Sequence, residues 1–198
     1  VKKAVKDMTF DYSSGILYAI MEDENKLANT IAIVDPQSGA LQAQYTDPEH
    51  VFTALAADEK GTLYAIARDK VSVAGASALY VIDLKGQSVT KIGDTGQNSV
   101  LEQSMTYDFE HGYLYWAQIA KSNDSKLCIV DTKSGYASPI GKIGAAGCEV
   151  TALYYVPEQE PEAPYVAVQD ILIGQGEATM LINGGEQQLT VSTDPVYA

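Results

Sequence analysis

The sequence predicts an all-β chain made of repeated four-stranded units, followed by part of a second β-domain. Two markers recur with one period, and no segment sustains a helical one. The first marker is apolar-x-x-Asp, a two- or three-residue spacer, then Gly-x-Leu-Tyr, seen at 8–19, 55–65 and 105–116. Its aspartates, Asp11, Asp58 and Asp108, lie 47 and 50 residues apart. The second marker is an apolar run ending in Asp and a glycine turn; its aspartates, Asp35, Asp83 and Asp131, are 48 residues apart both times. A period near 48 matches a β-propeller blade, whereas leucine-rich, ankyrin and tetratricopeptide repeats are shorter.

Each repeat reads as four strands. Strand one ends at the first aspartate. Strand two is the Gly-x-Leu-Tyr-Ala run, strand three the apolar run before the second aspartate. Strand four follows at Leu41–Tyr45, Ser88–Ile92 and Ala137–Ile143. The Asp-to-Gly stretches are tight turns, because aspartate bonds its own backbone two or three residues on and glycine supplies positive φ. Strand three is apolar at successive positions (Ile31, Ile33, Val34; Leu79, Val81, Ile82; Leu127, Ile129, Val130), as a strand buried on both faces requires. Glu149–Val156 repeats strand one of a fourth blade, Leu153 matching Leu55, and Pro157 then stops the pattern.

Three blades and one strand do not close a ring of four to eight. The remaining blades are therefore expected from upstream chain or from a second copy. Val1 is not a methionine and no leader precedes it, so the chain is expected to be cut from something longer.

The expected domains are 1–156 for the incomplete propeller, 157–164 for a linker, and 165–198 for the start of an immunoglobulin-like sandwich. Three prolines and three glutamates in Pro157–Pro164 make an extended, stiff connection. The repeats over Met8–Gly147 resemble bacterial propeller repeats of the quinoprotein-like and YVTN-like kind. The recurring tryptophan of quinoprotein repeats is absent, so the resemblance implies no quinone, and no other cofactor is expected. The tail resembles the opening of the group 2 bacterial immunoglobulin-like domain: Gly185, Glu186, Leu189, Val191 and Pro195 stand where that family places them. That family occurs in adhesins and other surface proteins. The resemblance implies an extracellular location, secreted or on a bacterial cell surface.

Composition narrows the role. The net charge is −13, with 13 Lys and Arg against 26 acids. A nucleic-acid binder needs a basic stripe, which this chain lacks. No apolar run approaches the roughly 18 residues of a membrane span. Cys128 and Cys148, with no histidine nearby, form no zinc pattern; they read as separate thiols, with an inter-blade bridge as the alternative. His50 and His111 fall in a connection and a turn, outside any metalloprotease spacing. No nucleophile elbow exists, and Gly174-Gln-Gly176 lacks the helix of a dinucleotide loop. The recurring aspartates read as turn-formers, and Glu22-Asp23-Glu24-Asn25 as a solvated loop without EF-hand spacing.

No catalytic or metal-binding residue is therefore nominated. The loops after strand two and between blades are longer and more variable than the turns, and share one rim. Ligand contacts are expected on such loops: Glu22, Asp23, Arg68, Asp69, Asn98, Trp116 and Gln118. Trp116 replaces Ala19 and Ala65 of the other repeats and reads first as a buried wedge, second as a platform for a sugar. The expected role is a surface binding or adhesion protein for a glycan or protein ligand. The alternative is a secreted carbohydrate-active enzyme whose catalytic residues lie partly in further blades.

Overall fold

A computed structural model describes residues 4–70, 75–100, 103–119 and 124–156, and the strands at 172–174, 177–182 and 185–189. The chain divides into two compact units, Val1–Pro157 and Glu158–Ala198. In the first, twelve strands form three four-stranded antiparallel sheets, each a simple meander. Blade one holds β1 (Val5–Asp11), β2 (Ile16–Glu22), β3 (Ala28–Val34) and β4 (Leu41–Thr46). Blade two holds β5 (His50–Ala57), β6 (Leu63–Asp69), β7 (Gly75–Asp83) and β8 (Ser88–Ser99). Blade three holds β9 (Ser104–Asp108), β10 (Tyr113–Ile119), β11 (Ser125–Val130) and β12 (Ala137–Lys142). The arrangement is a partial β-propeller.

All six recurring aspartates form turns. Asp11 Oδ1 accepts from the Ser13 amide at 2.8 Å, Asp58 Oδ1 from Lys60 and Thr62 at 2.9 and 2.7 Å, and Asp108 Oδ1 from Glu110 and His111 at 2.9 Å. Asp35, Asp83 and Asp131 accept from Gln37, Gly86 and Lys133 at 2.9, 2.8 and 3.0 Å. Gly15, Gly61 and Gly112 close the first turn with φ of 71°, 80° and 76°.

The blades stack through their sheet faces. Between blades one and two, Tyr18, Ile20 and Ile31 meet Phe52, Leu55 and Tyr80. Between blades two and three, Ala54, Ala56, Ile66 and Leu79 meet Met105, Leu114, Trp116 and Cys128. Seven of the eight residues of β5, flanked by blades on both sides, are buried, while most of β4 and of β12 is exposed at the perimeter.

The inner strands are joined by side chains. The Leu55 and Ala57 amides donate to Asp7 Oδ2 at 2.7 Å and Thr9 Oγ1 at 3.2 Å, 48 residues away. One blade pair further on, the Leu153 and Tyr155 amides donate to Ser104 Oγ at 3.1 Å and Thr106 Oγ1 at 3.2 Å, 49 residues away. The sequence reads Glu149–Val156 as strand one of a fourth blade; the structure bonds this segment to β9 through these side chains, but among the described residues it forms no regular strand.

One expectation is corrected here. Residues 93–102 read as an inter-blade loop, yet β8 runs to Ser99 and pairs with a lengthened β7 through two register shifts. Ser77 and Thr95 hydroxyls meet at 2.8 Å and both residues are buried, so polar bonds replace apolar alternation there.

Gly93 on β8 also sets the spacing of blades two and three. A Cβ on Gly93 would overlap the Ser134 carbonyl oxygen, and one on Gly135 would sit 2.6 Å from the Gly93 carbonyl oxygen. Backbone faces backbone, so no side chain can yield. Gly93→Ala is expected to cost about 2–4 kcal/mol in urea denaturation. Gly141→Ala, where a Cβ meets open space, is the matched control and is expected within about 0.5 kcal/mol of the parent.

In the second unit β13 (Leu172–Gly174), β14 (Glu177–Ile182) and β15 (Gly185–Leu189) form an antiparallel sheet. Gly185, Glu186 and Leu189 fall on β15; Val191, Pro195 and the 157–164 linker lie outside the described residues.

Candidate functional site

The loop end and the turn end of the blades carry different chemistry. At the loop end, Glu22 and Arg68 line one groove between blades one and two, of about 150 Å³, with Lys6, Lys26, Phe52 and Thr53. Lys6 Nζ pairs with Glu22 at 3.0 Å. Arg68 Nε is buried without a hydrogen-bond partner among the described residues, and burial lowers the guanidinium pKa.

The other nominated residues do not join this groove. Asp23 organises its own loop, accepting from the Asn25 and Leu27 amides at 2.8 and 2.9 Å and from Asn29 Nδ2 at 3.1 Å. Burial raises its pKa, but these bonds outweigh burial and hold the carboxyl below its usual range. Asp69 ends β6 on the surface, paired in register with His50, and Asn98 is a β8 residue opposite Ala76. Gln118 is 1% exposed and its amide donates to the Asn98 carbonyl at 2.7 Å. Trp116 is 0% exposed. It is the wedge of the first reading, with no face free for a sugar.

Each histidine meets a nearby aspartate. His111 Nδ1 lies 2.9 Å from Asp108 Oδ2 within its turn. His50 Nδ1 lies 3.1 Å from Asp47 Oδ1, and its ring packs on Tyr80 at 4.7 Å. Both thiols are free; Cys128 is buried, which pushes its pKa up to about 11.

On the axis, β1 contributes Asp7, 8% exposed. Besides the Leu55 amide it receives Ser104 Oγ at 3.2 Å and the Met8 and Met105 amides, so one carboxyl touches all three blades. Desolvation outweighs these bonds and raises its pKa to about 8. With Met8, Ser104 and Leu153 it lines a cavity of about 270 Å³. Asp7 was not nominated from sequence. Its signal is an acid at a repeat position that is otherwise small: Ala54, Ser104 and Ala152.

At the turn end the inner strands converge on a larger cavity, about 380 Å³, lined by Tyr12, Ser13, Glu59, Phe109, Tyr154 and Tyr155. Three of these occupy one repeat position. Tyr12, Glu59 and Phe109 each follow the turn aspartate of their blade, Asp11, Asp58 and Asp108. The aspartate turns hold this next residue toward the axis in every blade. The walls are braced by edge-to-face ring pairs: Phe10–Tyr12 at 4.9 Å, Tyr12–Phe109 at 5.6 Å and Tyr107–Phe109 at 5.4 Å. The Tyr12 and Tyr154 hydroxyls meet at 2.6 Å, yet the two residues remain 54% and 69% exposed. The Tyr107 hydroxyl bonds Glu59 and the Tyr155 hydroxyl bonds Glu110; burial and then these carboxylates raise both phenol pKa values. Sequence reasoning passed over this position because the turns looked regular. The available signal was a variable residue beside an invariant aspartate.

No protein family model and no curated protein matches this chain. Solved structures do. A chain of the nidogen/laminin complex superposes with a TM-score of 0.50 and 16% identity, over 71% of this chain and 49% of that one. A 6-phosphogluconolactonase-like protein of Bacteroides fragilis gives 0.45 and 18% over 73% and 40%. TolB from Acinetobacter baumannii gives 0.39 and 9% over 73% and 45%. The neighbours are propellers. At these identities the likeness concerns fold, and the chain spans about half the length of the nidogen/laminin chain it matches.

Proposed function

We propose that this chain is the recognition head of an extracellular or cell-surface binding protein, with the tail that resembles an immunoglobulin-like module acting as its stalk. One observation carries the reading: a single repeat position, filled by Tyr12, Glu59 and Phe109, lines one open cavity from three blades. A constant scaffold with a varied, exposed and largely aromatic contact position suits ligand recognition. The recurring acids and both histidines, by contrast, are engaged in turn and packing contacts. One neighbour comes from an assembly of two proteins, which favours a protein ligand; a glycan ligand rests on the aromatic walls alone. The surface location rests on the resemblance of the tail.

Glycan and protein arrays probed with the tagged chain test the reading. Retention that falls at least tenfold in Phe109→Ala, with array ligands recovered chemically intact, is the expected result. New reducing or unsaturated ends on recovered glycans would make the protein an enzyme. No retention on either array by folded chain would remove the proposal.

A further inference from the structure

The geometry of the turn-end cavity points to a ligand class: we propose that it takes an organic cation of the alkylammonium type. The inference deepens the reading of this cavity as a recognition site and rests on it.

Aromatic rings carry negative charge on their faces and attract cations, most strongly where water is excluded. Four of the six lining residues are aromatic: Tyr12, Phe109, Tyr154 and Tyr155. They come from blade one, blade three and the 149–156 segment, and the Phe10–Tyr12 and Tyr12–Phe109 rings meet edge to face at 78° and 87°, so they do not form one flat platform. A flat platform suits a sugar ring; rings set at steep angles beside an open cavity suit a compact, roughly spherical head group. The ring pairs at 4.9–5.6 Å and the Tyr12–Tyr154 hydroxyl contact brace the walls, which limits the ordering cost of binding.

Charge selects the sign. Glu59 lines the cavity, and Glu110, next in sequence to Phe109, is joined to the lining residue Tyr155. The Tyr107 and Tyr155 phenols face these two carboxyl groups and hold them in place. Among the described residues Glu59 pairs with Lys60, at 3.8 Å and with the lysine side chain 79% exposed, a weak solvent-screened pair. The chain's net charge of −13 adds a long-range field of the same preference. A volume near 380 Å³ lies in the range of small-molecule sites, and its carboxylates disfavour an anionic ligand.

Calorimetric titration of the full chain with choline, with its neutral isostere 3,3-dimethylbutan-1-ol and with methyl glucoside tests the proposal. Choline is expected to saturate one site at least about tenfold more tightly than the isostere. Glu59→Gln is expected to weaken choline about tenfold while leaving the isostere unchanged, and Tyr12→Ala to abolish saturation of a chain whose circular dichroism is that of the parent. A trimethyl-lysine peptide locates the source: tighter binding than choline places the cation on a protein partner, weaker binding makes it a free small molecule, and either supports the site. Equal binding of choline and isostere, binding of the glucoside alone, or no saturation by folded chain overturns it. Array retention lost in Tyr12→Ala without choline binding overturns the cation alone and leaves the recognition head standing.

Discussion

Replacing Trp116 by alanine is expected to destabilise the propeller unit by about 3–5 kcal/mol, the range for emptying a large buried aromatic site. Trp116 is the sole tryptophan and is fully buried. It sits on β10, between Met105 on β9 and Cys128 on β11, and shares its cluster with Ala54, Ala56, Ile66 and Leu79 of blade two. The two alanines leave the room that the indole fills. The other repeats use Ala19 and Ala65 at the tryptophan position, and Phe52 and Leu55 add bulk between blades one and two. The inter-blade gap is thus filled from one side or the other. Surrounding sheets cannot collapse into the vacated space without breaking β5 from its neighbours, so relaxation is limited. Trp116→Phe is expected to cost about half as much or less, because the indole Nε1 has no hydrogen-bond partner to lose. Urea denaturation followed by circular dichroism measures both. A loss below about 1 kcal/mol for the alanine variant would show that the ring does not wedge the blades apart.

The second large effect concerns pH. Asp7 has a folded pKa of about 8, raised from 3.8 by desolvation. Between those values the native state holds a proton that the unfolded state has released, so stability falls as pH rises. The favourable contribution is complete below about pH 4 and gone above about pH 8. The slope is bounded by about 1.4 kcal/mol per pH unit. Over this window of about four pH units, the loss is on the order of 5–6 kcal/mol. Asp11, Asp23, Asp35, Asp108, Asp124 and Asp131 act in the opposite sense. Their folded pKa values are lowered, so their contribution is present above the unfolded values and lost as pH falls below them. Together the two limbs place maximum stability on the acid side of neutrality, near pH 4–5. Thermal unfolding from pH 3 to 9 is expected to show that maximum, and Asp7→Asn to flatten the limb between pH 5 and 8 while leaving the acid limb in place. An unchanged limb in the variant would mean that Asp7 ionises normally in the folded chain.

The fold was legible because its determinants are local and repeated. An aspartate, a spacer and a glycine dictate a turn wherever they occur, and doubly apolar runs such as Ile31–Val34 dictate central strands. The outer half of β8 was not legible. Gly93-Asp-Thr-Gly-Gln-Asn-Ser99 has loop composition, and only the long-range partners Gly75–Ala78 make it a strand. For the site, the outcome divides by the same rule. Glu22 and Arg68 do line one groove, because both lie near the ends of the second strands of adjacent blades. Trp116 and Gln118 are buried, which composition near a loop does not reveal. Asp7 and the cavity of Tyr12, Glu59 and Phe109 depend on blades meeting at the axis. Their signal is the comparison of equivalent positions across repeats, since conventional motif spacing carries none.

The bonds between inner strands have a consequence for how such a chain comes into being. Leu55 and Ala57 lean on Asp7 and Thr9, and Leu153 and Tyr155 on Ser104 and Thr106, through side chains and without a shared backbone ladder. Each meander completes its own ladders within some 48 consecutive residues. Adding a unit during synthesis then requires face packing and a few side-chain bonds to the unit before it but no shared ladder, so structure can accrue from the amino end as the ribosome releases each segment. Gain or loss of one whole unit leaves every ladder in the others unbroken. The architecture is modular in its growth as well as in its appearance.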